Sequence, residues 1–253
     1  MEFAQLLLFA GLGMGAGLLI GCVGIGGVIV VPALVYLANV PIHVAIAAAM
    51  FAFLLSGAVG TLVFARSNSI RWDMTAWMWA GAMPAAFIGA LAANAIPASI
   101  IEFVVGTLTA ASGVHALLIQ SAAEPADGGI ISKPILANIG AVTGFTSALT
   151  GTGGPLVLIP ILVWMQMPVL AAIGLAQAIQ LPIAVLATSG NIVAGTLDPL
   201  LGSILGFGIV FGTWSGAKLA HVLPRATLKA FVSALLVVVG GMILIKLALA
   251  FTS

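Results

Sequence analysis

Apolar residues run along this chain in long blocks. Polar or proline-marked breaks interrupt them near Asn39 to His43, Arg66 to Asp73, Ala95 to Ser99, Ser121 to Lys133, Gln166 to Pro168, Thr196 to Pro199 and His221 to Lys229. Eight apolar stretches remain, near 3–37, 43–65, 74–95, 99–120, 133–164, 168–195, 199–220 and 226–250. Most have the length of one helical crossing, roughly 20 residues for a hydrocarbon core of about 30 Å. The first and fifth, at about 30 to 35 residues, exceed one crossing even with tilt. Both carry the same interruption, Gly24-Ile25-Gly26-Gly27 in one and Gly151-Thr152-Gly153-Gly154 in the other. The pattern predicts an all-α polytopic membrane protein in which each over-long stretch is a hairpin of two short helices broken at its glycines.

Subtracting 24 from 151 gives an offset of 127, and that offset also relates Pro41 to Pro168, Thr61 to Thr188, Gly89 to Gly216, Ala93 to Ala220 and Pro97 to Pro224. Glycine and proline landmarks that hold one register mark a duplication. The halves are read as a first transmembrane repeat, 1–120, a connecting loop, 121–132, and a second repeat, 133–253.

Composition closes off most other readings. Of 253 residues, 7 are Lys or Arg and 6 are Asp or Glu, so charged residues make up 5% against about 25% in a soluble domain. With 62% hydrophobic residues and a mean hydropathy of +1.32, the partner of the folded surface is the lipid bilayer. A net charge of +1 with no basic run gives nucleic acid nothing to bind. The lone Cys22 builds neither an internal disulfide nor a metal cluster. If each long stretch is a hairpin, Arg66, Arg71, Lys133, Lys218, Arg225 and Lys229 fall on one face and only Lys246 on the other. The positive-inside rule favours that arrangement. It makes the halves inverted copies, each a broken-helix hairpin plus three crossings, with both termini outside the cytoplasm of an inner membrane.

Non-helical backbone at membrane depth is tolerated only where it is buried in protein or lines a wet cavity. Glycine lets a ligand approach the main chain closely, and the helix restarting after each break offers free N–H groups and a positive dipole end to an anion. Pro155 suits the first position of such a helix. Gly24, Gly26, Gly27, Gly151, Thr152, Gly153 and Gly154 are therefore the candidate substrate-binding residues. Gly11, Gly13, Gly15, Gly17 and Gly21, by contrast, read as a close-packing helix seam. Gln177 and Gln180 share a helix face, join the candidate site, and precede Pro182, which should free a carbonyl. Their counterparts at the offset are Met50 and Phe53, so one wall of the site is polar and the other apolar. Thr146, Ser147, Thr150, Thr188 and Asn191 could add neutral donors to the lining.

No acidic residue falls at the centre of a stretch, which leaves a carboxylate relay for cations without parts; neutral donors suit a small anion that must be released. His115 is the one histidine well inside a predicted span, and a coupling proton could pass through it, although a packed neutral imidazole fits the same position. Glu102, Lys218 and Lys246 lie near span ends, where they can reach the interface. No metal-ligand set, P-loop or dinucleotide fingerprint in a βαβ context occurs, so no cofactor is implied. No His-Glu, Ser-Lys or Asp-Asp constellation suggests an intramembrane enzyme.

The paired Gly-x-Gly-Gly breaks, followed five or six residues later by Pro32 and Pro160, resemble the TauE/SafE family of sulfite exporter-like permeases. The segment Gly-Ala-Lys-Leu-Ala-His-Val-Leu-Pro at 216–224 and the Gly-Thr-Leu-Asp turn at 195–198 extend the resemblance over nearly the whole chain. It implies a secondary transporter of sulfite, an organosulfonate or a related small anion, working as an exporter by alternating access between repeats. A passive anion channel, or a carrier of another small carboxylate or sulfonate, stays open as the alternative. The chain departs from the pattern where Arg71 stands at the position matching Asp198, and where the first half lacks polar partners for Gln177 and Gln180.

Overall fold

The computed structural model describes residues 3–23, 27–68, 70–118, 131–165, 167, 169–219 and, toward the C-terminus, 234, 237–238, 240–245 and 247–249. Gly24 and Gly26, most of the connecting loop, and Arg225, Lys229 and Lys246 lie outside the described residues. The described chain folds into α1 (Phe3–Val23), α2 (Gly27–Ala38), α3 (Ile42–Arg66), α4 (Trp72–Ala95), α5 (Ala98–Leu118), α6 (Lys133–Thr150), α7 (Pro155–Trp164), α8 (Val169–Val193) and α9 (Pro199–Leu219). Five of these helices, α1, α3, α4, α8 and α9, are long and apolar enough to cross a membrane. Both over-long stretches are broken as the pattern predicts, but the arms are unequal. α1 has 21 residues and α6 has 18, while the returning α2 and α7 have 12 and 10. At a rise of 1.5 Å per residue, only the returning arms are the short helices expected.

Glycine contacts hold the bundle together. A Cβ placed on Gly13 would lie 2.5 Å from the Leu205 carbonyl oxygen, and one on Gly140 would strike the Met78 oxygen. Gly17 faces Ile209 as Gly144 faces Ala82, Gly208 faces Ala10 as Gly81 faces Ala137, and Gly216 faces Leu18 as Gly89 faces Phe145. Each pair maps onto its mate by the same offset of 127 read from the sequence. One seam joins α1 to α9, the other α6 to α4, and in each the backbones approach as only Gly allows. Gly11 and Gly15, expected in this seam, instead face open space. They sit two residues out of phase with Gly13 and Gly17, which turns them about 200° away on a helix of 3.6 residues per turn.

Successive contacts fix the helix directions. α1 runs parallel to α9, and α4 parallel to α6. α3 is parallel to α9, with Phe51 on Gly202 and Leu55 on Gly206. α8 runs parallel to α4 through Trp79 on Ala178 and Asn94 on Asn191, and antiparallel to α3 through Ser56 on Gln180 and Thr61 on Gln177. Arg66 at the end of α3, Arg71 before α4, Lys133 opening α6 and Lys218 closing α9 therefore share one end of the bundle. Lys218 Nζ sits 3.6 Å from the Trp214 ring centroid and Lys133 Nζ 5.1 Å from that of Trp77, favourable placements for cations beside aromatic rings. Asp198 and Glu102 lie toward the other end. Glu102 accepts a hydrogen bond from Tyr36 at 3.2 Å.

Pro182 sits inside α8 without ending it. Its missing N–H leaves the Ala178 carbonyl unpaired within the helix, and the Trp79 indole N–H donates to that oxygen at 3.1 Å. Trp79→Phe keeps an aromatic ring, smaller than the indole, and removes the donor. It should lower stability by about 1–3 kcal/mol, the cost of an orphaned buried carbonyl, measured by thermal unfolding in detergent. An unchanged midpoint would mean that the carbonyl does not need this partner.

Candidate functional site

The break between α6 and α7 is built by three consecutive devices. Gly151 closes α6 in the left-handed region, φ +71°, and its amide and that of Thr152 both donate to the Ser147 carbonyl, at 2.9 and 3.2 Å. This satisfies carbonyl valence at a helix end that lipid cannot solvate. Gly153 and Gly154 follow at φ +81° and +109°, conformations that other residues adopt only under strain. The Gly154 carbonyl then accepts the Val157 and Leu158 amides, at 3.2 and 3.1 Å, to open α7, with Pro155 at its first position. Among the described residues the amides of Gly153, Gly154 and Leu156 have no hydrogen-bond partner.

This break meets the start of α2. A Cβ on Gly27 would lie 2.6 Å from the Thr152 carbonyl oxygen and 3.0 Å from Phe53 Cζ. The same phenyl ring touches Gly153, whose Cβ position is 3.0 Å from Phe53 Cδ2, and Gln180 Nε2 stands 3.5 Å from that point. Phe53 is 0% exposed and Gln180 1%. Gly27, the described glycine of the first interruption, and Gly153 of the second thus both lie against a single ring, level with the middle turns of α3 and α8. Ser147 Oγ, fully buried and without a partner among the described residues, is 3.9 Å from the Cβ position of Gly154.

The remaining candidates divide. Thr152 is buried and its hydroxyl pairs with Thr150 at 3.0 Å, while Thr150 donates to the Thr146 carbonyl at 2.7 Å; these hydroxyls stabilise the break itself. Gln177 lies off the meeting point: Nε2 donates to the Ile20 carbonyl at 3.2 Å, and Oε1 rests against Gly60, where any Cβ would displace it. Ile20 and Ser147 are related by the offset of 127. The last turn of α6 is closed by its own backbone and that of α1 by Gln177. Asn191 pairs with Asn94 at 3.4 Å between α8 and α4, and with Thr188 it lies eight or more residues beyond Gln180, about 12 Å or more along the helix axis. His115 is in α5, but its side chain lies outside the described residues. The mismatch between Arg71 and Asp198 has a local cause, since Asp198 Oδ1 caps α9 by accepting the Leu200 and Leu201 amides at 3.0 Å each.

Ser56 is the residue missed in the sequence. It is fully buried and its hydroxyl accepts a 2.7 Å hydrogen bond from Gln180 Nε2, fixing that amide beside the break. A signal existed, because Ser56 is the one hydroxyl between Ile42 and Gly60. Phe53 was visible only as the apolar counterpart of Gln180.

A family model described as the sulfite exporter TauE/SafE matches residues 9–243. The chain belongs to the TauE/SafE family. It is similar to the Probable membrane transporter protein YdhB of Bacillus subtilis (strain 168), 22% identical over 219 residues that cover 84% of this chain and 89% of that protein. No solved structure matches the chain. TauE/SafE membership and the apolar helices make this a multi-pass membrane transporter, and TauE/SafE is a family of transporters rather than of enzymes.

Proposed function

We propose that this protein is a carrier that exports a small sulfur oxyanion, sulfite or an organosulfonate, across the inner membrane by alternating access between two inverted repeats, 1–120 and 133–253, joined by the loop 121–132. Three features support the repeat reading. The seam contacts recur at one offset, their partners exchange between halves, and α1 and α6 start at opposite ends of the bundle. The end carrying Arg66, Arg71, Lys133 and Lys218 is assigned to the cytoplasm by the positive-inside rule. A proton or the membrane potential supplies the driving force.

The observation that carries the site is the α6–α7 break. The amides of Gly153, Gly154 and Leu156 and the buried Ser147 hydroxyl, none with a partner among the described residues, cluster in the break that opens α7 and packs against Gly27. Donors without acceptors in a dry interior are costly unless a ligand meets them, and helix starts favour negative charge. The ring of Phe53 seated between the breaks favours a carrier over an open pore.

Ser147→Ala tests this reading. Removing a hydroxyl that has no partner among the described residues should leave the thermal midpoint unchanged or raise it. The same change should weaken sulfite binding about tenfold or more, as a lost hydrogen bond to a charged group does. The measurements are sulfite-dependent thermal shift and efflux from proteoliposomes, with flux accelerated by counter-anion on the far side. Wild-type affinity in Ser147→Ala would remove the oxyanion from this point.

A further inference from the structure

Resting on that reading of the site, we propose that Phe53 is its plug: the phenyl ring holds the place between the two glycine breaks that the transported oxyanion must take, so that ring displacement admits the anion and the size of this residue sets the size of the cargo. The geometry is specific to this side chain. Its Cζ abuts Gly27 at the start of α2, and its Cδ2 and Cε2 abut Gly153 in the opposing break. It is among the largest fully buried side chains. Neither glycine has a Cβ to hold the ring in a groove, so it rests on bare backbone from both repeats. The polar groups of the site lie around it, Gln180 Nε2 on one side and Ser147 Oγ beyond Gly154.

A ring in this position separates two properties that the amides alone would leave linked. Affinity for the oxyanion comes from N–H and O–H donors, which act on any small oxyanion. Discrimination by size comes from how far the ring can retreat. Phe53 and Gln180 occupy equivalent positions of the two halves at the offset of 127. The duplicated position has thus become a hydrogen-bonding wall in one half and a movable apolar stopper in the other.

The test need not assume the cargo. Cys22 is the chain's one cysteine and is buried, so a Cys22→Ser background carrying Ser147→Cys reports access to the break through its rate of modification by an anionic methanethiosulfonate. Adding Phe53→Ala should raise that rate about tenfold or more, equivalent to removing a barrier of about 1.4 kcal/mol, with a smaller rise for Phe53→Leu. Phe51→Ala, two residues away on the Gly202 contact with α9, should leave it unchanged. Equal rates with and without the Phe53 changes overturn the plug, and so does an equal rise in Phe51→Ala, which would mean general loosening. If Phe53→Ala does not reach the membrane, Phe53→Leu decides by the same criterion. Faster labelling with Phe53→Ala, together with wild-type sulfite affinity in Ser147→Ala, supports the plug while removing the proposed oxyanion from the break. In transport, Phe53→Ala should raise flux of an aromatic sulfonate relative to sulfite, and an unchanged ratio in a transport-active variant counts against the size rule.

Discussion

Gly154→Ala should abolish anion efflux while the protein still reaches the membrane in normal amount. A methyl group has room there, since the Cβ position is 3.4 Å from Ile183 Cδ1, 3.6 Å from Ile179 Cγ2 and 3.9 Å from Ser147 Oγ. Conformation, not space, forbids it. At φ +109° a residue with a Cβ is strained by about 1–3 kcal/mol, and relaxing that strain reorients the peptide groups on either side of Gly154 within the break. Gly154→Leu adds bulk to the same defect. Gly195 gives the control: it also has a left-handed φ, +71°, and no neighbour within 4 Å, but it lies in the α8–α9 connection. Gly195→Ala should carry a strain of about 1–2 kcal/mol with efflux intact. The comparison is sulfite efflux per unit of membrane-inserted protein, and normal efflux by Gly154→Ala would show that the break backbone does not hold the anion.

The second large effect concerns stability. Gly13→Ala and Gly140→Ala should each cost about 2–3 kcal/mol in detergent unfolding, within the range for overpacking and at its upper part because each Cβ meets a partner's backbone rather than a side chain. The two losses should be similar, since the contacts are the same contact repeated. Gly11→Ala, two residues away and facing nothing, should be neutral or stabilising by up to about 1 kcal/mol from helix propensity. Equal destabilisation at Gly11 and Gly13 would refute the assignment of the seam.

Much of the architecture was legible in the sequence because lipid imposes a simple rule: backbone groups must be satisfied within the helix, so segment lengths and breaks appear directly as hydropathy and glycine pattern. The helix boundaries at Arg66, Ala95 and Lys133 follow from it, while the 127 offset was legible separately, in matched glycine and proline positions. The seam phase did not, because glycines at 11, 13, 15 and 17 satisfy two overlapping four-residue spacings and only the position of α9 chooses between them. Nor did the unequal hairpin arms, since glycine composition marks where a helix breaks without giving the depth at which it does so. In the candidate site, Gly27, Gly153, Gly154 and Gln180 were expected from pattern, and the structure places them near one another. Gln177 looked equivalent to Gln180 because they share a helix face, but three residues along α8 are enough to place one beside the break and the other against Gly60 and the end of α1. Ser56 was hidden because a lone serine in an apolar run is ordinary until its partner is known.

If the halves are the inverted repeats proposed for this carrier, both glycine seams join a helix of one half to a helix of the other. A chain ending after α5 would leave the close-packing faces of α1 and α4 bare to lipid. Two such chains could cover them only by lying upside down relative to each other, so a half-length gene would have to insert its product in both orientations in the same bilayer. Fusion into one polypeptide removes that requirement, and it also frees matched positions to diverge.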